Sequence, residues 1–556
     1  MNTYKKYISH FVAFIAIAIM SSCNNNIDLD ADGIVTEDGY FNSAEDYDKA
    51  LNSLYGCLNV DKFDLWLDGV TDDGLVTHSW NKGYDFGRGN ANSSSSFAKD
   101  KWNKGYISVQ RANNVISKID VYQWPDGTND VTRNAYLAEA RTLRAYYYLD
   151  LVCLFGNIMF YEVNPATVAD AANIPQVEPK TVFDFIIKEL AEAIPALPDN
   201  PANKSKLSKP AARLLRARAA AYAAGYLSDK AYFNITLSET EELMKTAPEL
   251  GDYESLFISG NESIAEVILV KSYAADKKND YGDWYNNSIG GYCVTTPTKA
   301  LVDAYEYVGE TEPNLPYKNK DPRFYASIYA PGSIIRGKYY NTIPSNTIEK
   351  DGKLYFDPAK DYGTYQDREV MFGDVLGEAG GGEWNKTPTG LSYKKYFQEA
   401  ETWYTYNSFI IFRYAEAYLL RAEALVETGG STDEAKSLIK KIRDRAGNTN
   451  DLETTLAGTY KSKLIDMIRN ERRIEMVQEG QRLFDIRRWK ILLDVMNKPI
   501  QGIEYRDFSG GTPVKKILIP AASERSEFKE RDYWWPIPQE EMDLDKTDRI
   551  KQNPGW

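Results

Sequence analysis

Histidine is nearly missing: the 556-residue chain holds two, His10 and His78. Multi-histidine zinc sites, HExxH proteases and metal-activated hydrolases bring several ligands to one point, so this scarcity excludes them. No GxSxG elbow accompanies either imidazole, which argues against a serine hydrolase triad. Cysteine is scarce as well. Cys23, Cys57, Cys153 and Cys293 are widely spaced and form neither a disulfide framework nor a thiolate metal site. The fold therefore stands on its core, and a chain of this length can bury one large core or several. Positive charge is in deficit, with 66 Lys and Arg against 80 Asp and Glu. Such a surface repels phosphate backbones, so nucleic acid is excluded as the expected partner. The glycine run Gly380 to Gly382 lacks a following Lys-Ser/Thr and is a loop, not a phosphate cradle.

The one unbroken apolar run near the start, Phe11 to Met20, falls short of the roughly 20 residues that span a bilayer. With Lys5 and Lys6 before it, the run reads as the core of a secretory leader over residues 1–22. It ends at Ser21, Ser22 and Cys23, a pattern that resembles a lipobox, in which the cysteine is acylated and becomes the first mature residue. His10 leaves with the leader, and His78 is then the sole imidazole. Residues 23–44 read as a tether. Within it Asp28, Asp30, Asp32 and Gly33 reproduce the opening of an EF-hand loop, but Gly39 stands where a bidentate glutamate would be needed. A solvated acidic linker is the reading. Those three aspartates are the chain's only calcium candidates, and no other cofactor is implied.

Most periodic segments are helical. From Val131 to Phe155, Tyr136, Leu137, Ala140, Leu143, Tyr147, Tyr148, Leu151 and Val152 recur at three and four, and Gly156 stops the helix. Thr181 is the expected N-cap of a helix over Val182 to Ile194, and Ala211 to Tyr226 is alanine-rich so that neighbours can approach closely. Phe412 to Leu438 reads as two helices broken at Gly429 and Gly430, a hairpin like a tetratricopeptide unit. The expected fold is mainly α, a tetratricopeptide-like helical repeat scaffold carrying a large loop-rich insert with short strands. Residues 45–230 form its first helical region, 231–400 the insert and 401–556 the second helical region. Val267 to Val270 is a candidate strand inside the insert.

Recognition is expected in loops carried by a rigid frame, here in the insert and between Leu65 and Ala98. Sugar rings present C–H faces that stack on aromatics, and hydroxyls that need fixed polar groups, so a glycan site calls for solvent-facing Trp or Tyr beside Asp, Asn and Arg. Two segments offer that mixture. LWLDGVTDDGLVTHSWNKGYDFGRGN supplies Trp80, Tyr84, Asp72, Asp73, His78 and Arg88; YGDWYNNSIGGYC supplies Tyr281, Trp284, Tyr285 and Tyr292 beside Asp283, Asn286 and Asn287. Trp80 and Trp284 lead, and Arg368 is a further candidate for bonding sugar hydroxyls. Glu471 and Glu475 share a helix face but lie among Arg469, Arg472 and Arg473. Arginines hold carboxylates ionised, so this reads as a structural ion-pair cluster and not as an acid/base pair.

Six blocks resemble the SusD/RagB family in order. They are Ala138 to Asn157, Thr181 to Pro198, Arg413 to Leu425, Ile439 to Gly447, Ile468 to Lys490 and the closing WPIPQEEMDLDKTDRIKQNPGW. The resemblance implies a non-catalytic lipoprotein on the outer face of a Gram-negative outer membrane. It also implies that glycan is captured over the mouth of a SusC-type TonB-dependent transporter. Alternatives from other classes are a peptide-binding uptake lipoprotein of the RagB type, a protein-binding adaptor and a carboxylate-pair glycoside hydrolase.

Overall fold

A computed structural model describes residues 40–556 except 59, 202, 275–277, 280, 287–288, 313–314, 344–346, 358–368, 373–385, 398–404, 508–513, 521–524 and 546–547. The leader, Cys23, the tether aspartates Asp28, Asp30 and Asp32, Asn287, Arg368 and Gly380 to Gly382 lie outside the described residues.

Among the described residues the chain forms ten helices of eight or more residues: α1 (Ala44–Gly56), α2 (Val60–Asp68), α3 (Ser96–Ser117), α4 (Val131–Phe155), α5 (Pro179–Ala193), α6 (Lys209–Tyr226), α7 (Phe233–Met244), α8 (Tyr414–Glu427), α9 (Thr432–Arg445) and α10 (Leu464–Glu475). Capping chemistry sets their ends. Asp130 accepts from the Thr132 and Arg133 amides at the start of α4, and Ser208 from Ala211 N at the start of α6. Gly156 closes α4 with φ +70°, where a Cβ would stand 2.9 Å from the Trp534 ring. The N-cap of α5 differs from the sequence expectation: Pro179 takes the first turn and Glu178 precedes it. Proline's fixed φ starts a helix without a donor to satisfy, so the helix begins before Thr181.

The helices pack in succession, α3 on α4, α4 on α5, α5 on α6, α6 on α7, α7 on α8 and α8 on α9. Ala211, Ala212, Ala217, Ala219, Ala220, Ala221 and Ala223 of α6 are fully buried, which lets its neighbours close in on both sides. The hairpin α8–α9 turns at Gly429, whose φ is +72°. This is the stacked-hairpin frame that the periodicity predicts. Among the described residues, no helix is long and apolar enough to cross a membrane.

α7 is the main departure in element assignment, because it is a scaffold helix inside the stretch read as loop-rich. Its buried face is mixed, Thr236, Glu239, Thr240 and Leu243, and so lacks a clean apolar period. Beyond it the chain leaves the frame along strand Val267–Lys271 and returns along Phe409–Arg413, and these two strands pair antiparallel. Between them lie short strands and helices around a second core of Leu301, Val302, Tyr305, Phe324, Ile328 and Tyr393, closed by Ile474 and Val477 from the C-terminal region. The region Leu65 to Ala98 is also more ordered than a loop, holding the end of α2, strand Gly74–Val76 and a single turn at Tyr84–Gly87.

Charge is buried where the insert meets the frame. Glu475 takes ion pairs from Arg413, Arg445 and Arg323, and Glu471 from Arg323 and Arg443. The cluster that the sequence suggests is there, with other arginines in it. Arg472 turns to Asp485, Arg473 to Asp72 and Asp73, and Arg469 to Glu427. Residues adjacent along a helix point to different faces, so sequence interleaving did not make them partners.

Candidate functional site

A cleft of about 320 Å³ opens between α2, α3, the segment after strand Gly74–Val76 and the turn Tyr281–Asp283. Its apolar wall is Phe63 and Trp66 of α2, Phe97 of α3, Trp80 and Trp284. Its polar lining is Asn81, Lys82, Asp100, Lys101, Lys104 and Asp283. Phe97, Asp100, Lys101 and Lys104 follow one another at helical spacing, so a single face of α3 supplies one whole side. Behind it Phe63, Phe86, Phe97 and Trp535 form a ring cluster with centroids 4.5–6.1 Å apart, which fixes that side rigidly.

Trp80 stands at the cleft mouth, 64% exposed and the only tryptophan among the strongly exposed large hydrophobic side chains described. His78 stacks beneath it, with ring centroids 4.5 Å apart and planes within 7°. Burial lowers the His78 pKa, which keeps the imidazole neutral at pH 7. A neutral ring supports the indole from one side.

The segment carrying Trp80 is anchored at both ends. Strand Gly74–Val76 pairs antiparallel with Thr295–Pro297, and Thr77 N donates to Val294 O at 3.0 Å. Asp72 receives both Nε and Nη2 of Arg482, at 2.9 and 2.8 Å, and Asp73 receives Arg473 Nε at 2.6 Å. Burial alone would raise Asp72, but Arg473 and Arg482 outweigh it and hold the carboxyl below its ordinary range. For Asp73, burial wins with help from the Asp72 charge, and its pKa rises. Arg525 donates to Thr71 O at 2.8 Å and Gly87 O at 3.0 Å, tying the same segment from a third direction. Asp73 is buried and committed to arginine, so it positions the segment and does not face the cleft. Arg88, which sits over the Tyr84 ring at 4.1 Å, is likewise buried, and neither residue lines the cleft.

The second segment divides. Trp284 lines the cleft yet is 3% exposed, meeting Trp66 edge to face at 5.5 Å. It is a wall rather than an open platform. Tyr285 packs on Phe397 at 4.8 Å, and Tyr281 on Tyr396 at 5.9 Å, both buried. The reading of these rings as solvent-facing is therefore corrected. Their partners come from chain more than a hundred positions away, which local composition does not reveal. Tyr292 is exposed at 45% but does not line the cleft; Asp283 does. Sequence reasoning missed Phe63, Trp66, Asn81, Lys82, Phe97, Asp100, Lys101 and Lys104. The spacing of Phe97, Asp100, Lys101 and Lys104 was the available signal for the α3 side.

A broader, more open depression of about 450 Å³ lies along the adjoining face of α3, lined by Tyr106, Ile107, Gln110, Tyr161, Glu541 and Arg549 among others. Its tryptophan, Trp102, is buried, so it presents no free indole face.

Together the frame and the cleft define a helical-repeat scaffold protein with an aromatic-walled cleft at the seam between its first helices and a stitched-in insert. The sequence model of the SusD family matches residues 261–556, and a second model, described as "Starch-binding associating with outer membrane", matches residues 30–223. The chain belongs to the SusD family. It is similar to SusD-like protein P2 of Formosa agariphila, with 24% identity across 99% of this chain and 100% of that one. Its fold is that of a SusD-like carbohydrate binding protein from Bacteroides fragilis, with TM-score 0.73, 22% identity and coverage of 91% of this chain and 98% of that one. Surface glycan-binding protein A from Bacteroides uniformis shares the fold at TM-score 0.64 and 20% identity, over 92% and 99% of the two chains.

Proposed function

We propose that this protein captures oligosaccharide or polysaccharide at the cell surface and delivers it to a SusC-type TonB-dependent transporter, without cleaving it. The observation that carries the reading is the exposed Trp80 indole, backed by His78 and set at the mouth of a cleft walled by Trp66 and Trp284. A flat apolar face beside fixed amide, ammonium and carboxylate groups suits a ring with C–H faces and hydroxyl edges. Family membership and the names of two structural neighbours support the same class of ligand. Lipid at Cys23 would hold the protein on the outer membrane over the transporter.

Glu471 and Glu475, the carboxylate pair weighed for acid/base chemistry, are buried and bound to arginine, which supports the non-catalytic reading over the hydrolase alternative. Affinity gel electrophoresis against a polysaccharide panel tests the proposal. Retardation is expected with at least one glycan, and Trp80→Ala should weaken it about tenfold, or ~1.4 kcal/mol. Incubation with labelled oligosaccharide should return the label uncleaved. Hydrolysis by the purified chain, or unchanged affinity in Trp80→Ala, would sink the reading.

A further inference from the structure

In a chain of formal net charge −14 the cleft lining carries a small positive excess, with three lysines, Lys82, Lys101 and Lys104, against two aspartates, Asp100 and Asp283. Lys82 pairs with Asp100, and Lys101 reaches Asp150 at 2.6 Å while lying 4.0 Å over the Phe63 ring. Lys104 has no carboxylate partner among the described residues and sits at the exposed rim of the α3 side. Its ammonium pKa is lowered first by partial burial, then by Lys82, Lys101 and Lys271, with Asp100 opposing. A cation crowded by cations is the local complement of an anion, which would be attracted by several of them at once.

Two more groups on lining residues point the same way. Trp284 Nε1 and Asn81 Nδ2 are buried with no hydrogen-bond acceptor among the described residues. Both are donors, as is the Lys104 ammonium. A sugar hydroxyl could donate as well as accept, but a carboxylate or sulfate oxygen only accepts, and it carries the charge that Lys104 lacks opposite it.

Resting on the glycan-binding reading above, we infer that the cleft selects acidic glycans, seating a carboxylate or sulfate ester of the sugar against Lys104 while Trp80 stacks on a ring beside it. Lys104 is then the specificity-determining residue of the site. A neutral polymer offers the same ring faces and leaves Lys104 without a counter-ion.

The experiment measures affinity of the purified full chain for a neutral β-glucan, a polyuronate and a sulfated polysaccharide at low and high salt. One of the two acidic polymers should bind at least about tenfold tighter than the neutral one, and the two arms tell carboxylate from sulfate ester. Its affinity should fall as salt rises. Lys104→Met should remove most of that preference and flatten the salt dependence, Lys104→Arg should restore it, and neither should shift the melting temperature, since the side chain is at the surface. Equal or tighter binding of the neutral polymer, or a Lys104→Met variant indistinguishable from the parent, overturns the inference and leaves the glycan-binding reading standing. Retention of none of the polymers overturns both.

Discussion

Glu471 and Glu475 lie one turn apart on the same face of α10, and their acidities move in opposite directions. Burial raises both. At Glu475 the three guanidinium groups of Arg445, Arg413 and Arg323 outweigh it, and the carboxyl falls well below its usual range. At Glu471 two arginines, opposed by nearby Asp321, do not, and its pKa rises. Glu475→Gln therefore leaves three buried cations short of one counter-charge, and should cost about 3–5 kcal/mol at pH 7. Because the folded state holds Glu475 below its ordinary 4.5, the unfolded chain binds the extra proton as pH falls. The stabilisation is complete above that value and shrinks below it. Urea unfolding at pH 7 and pH 3 should show the gap between parent and variant narrowing in acid; a gap that widens would contradict the account. The cluster's existence was legible from glutamates interleaved with arginines. Its membership was not, because Arg323, Arg413 and Arg445 come from segments that only the tertiary fold brings together.

At the scale of elements, helices with a clean apolar period were readable and mixed ones were not. α4 runs from Val131 to Phe155, the span its spacing predicts, whereas α7 hides its buried face behind Thr236, Glu239 and Thr240. The recognition segments follow the same rule. Trp80, in Gly- and Asn-rich surroundings, is exposed as expected. Trp284 in similar company is covered, because Trp66 on a distant helix reaches it. Asp72 and Asp73 resemble ligand groups in sequence and are claimed by arginines some 400 positions on. The end of α4 offers a direct test of element packing. Gly156→Ala must hold a positive φ and place a Cβ 2.9 Å from the Trp534 ring, so a loss of about 1–3 kcal/mol is expected, read as a lower melting temperature. An unchanged melt would mean that the C-terminal segment carrying Trp534 moves aside without cost.

For the whole molecule, the proposed anchor is the feature that would hold the protein at a membrane. If Cys23 carries the lipid, Cys23→Ala should shift the protein from the membrane fraction to the soluble or shed fraction, with ligand affinity unchanged, since no described part of the cleft lies near the start of the chain. Fractionation followed by immunoblotting checks this, and continued membrane association of the variant would remove lipid at Cys23 from the account. The paired strands Val267–Lys271 and Phe409–Arg413 have a wider consequence. They bring the two ends of the insert side by side, so the stretch between them is closed like a cassette whose two hinges are already in register. That cassette carries one wall of the cleft, but it also lends Arg323 to the ion pairs of Glu471 and Glu475 and packs on Ile474 and Val477, so those residues must be kept when it is exchanged or lengthened. Grafting the equivalent stretch from a relative between those two strands, with Arg323 and the residues packed on Ile474 and Val477 retained, should therefore transplant part of its ligand preference and still give a folded protein.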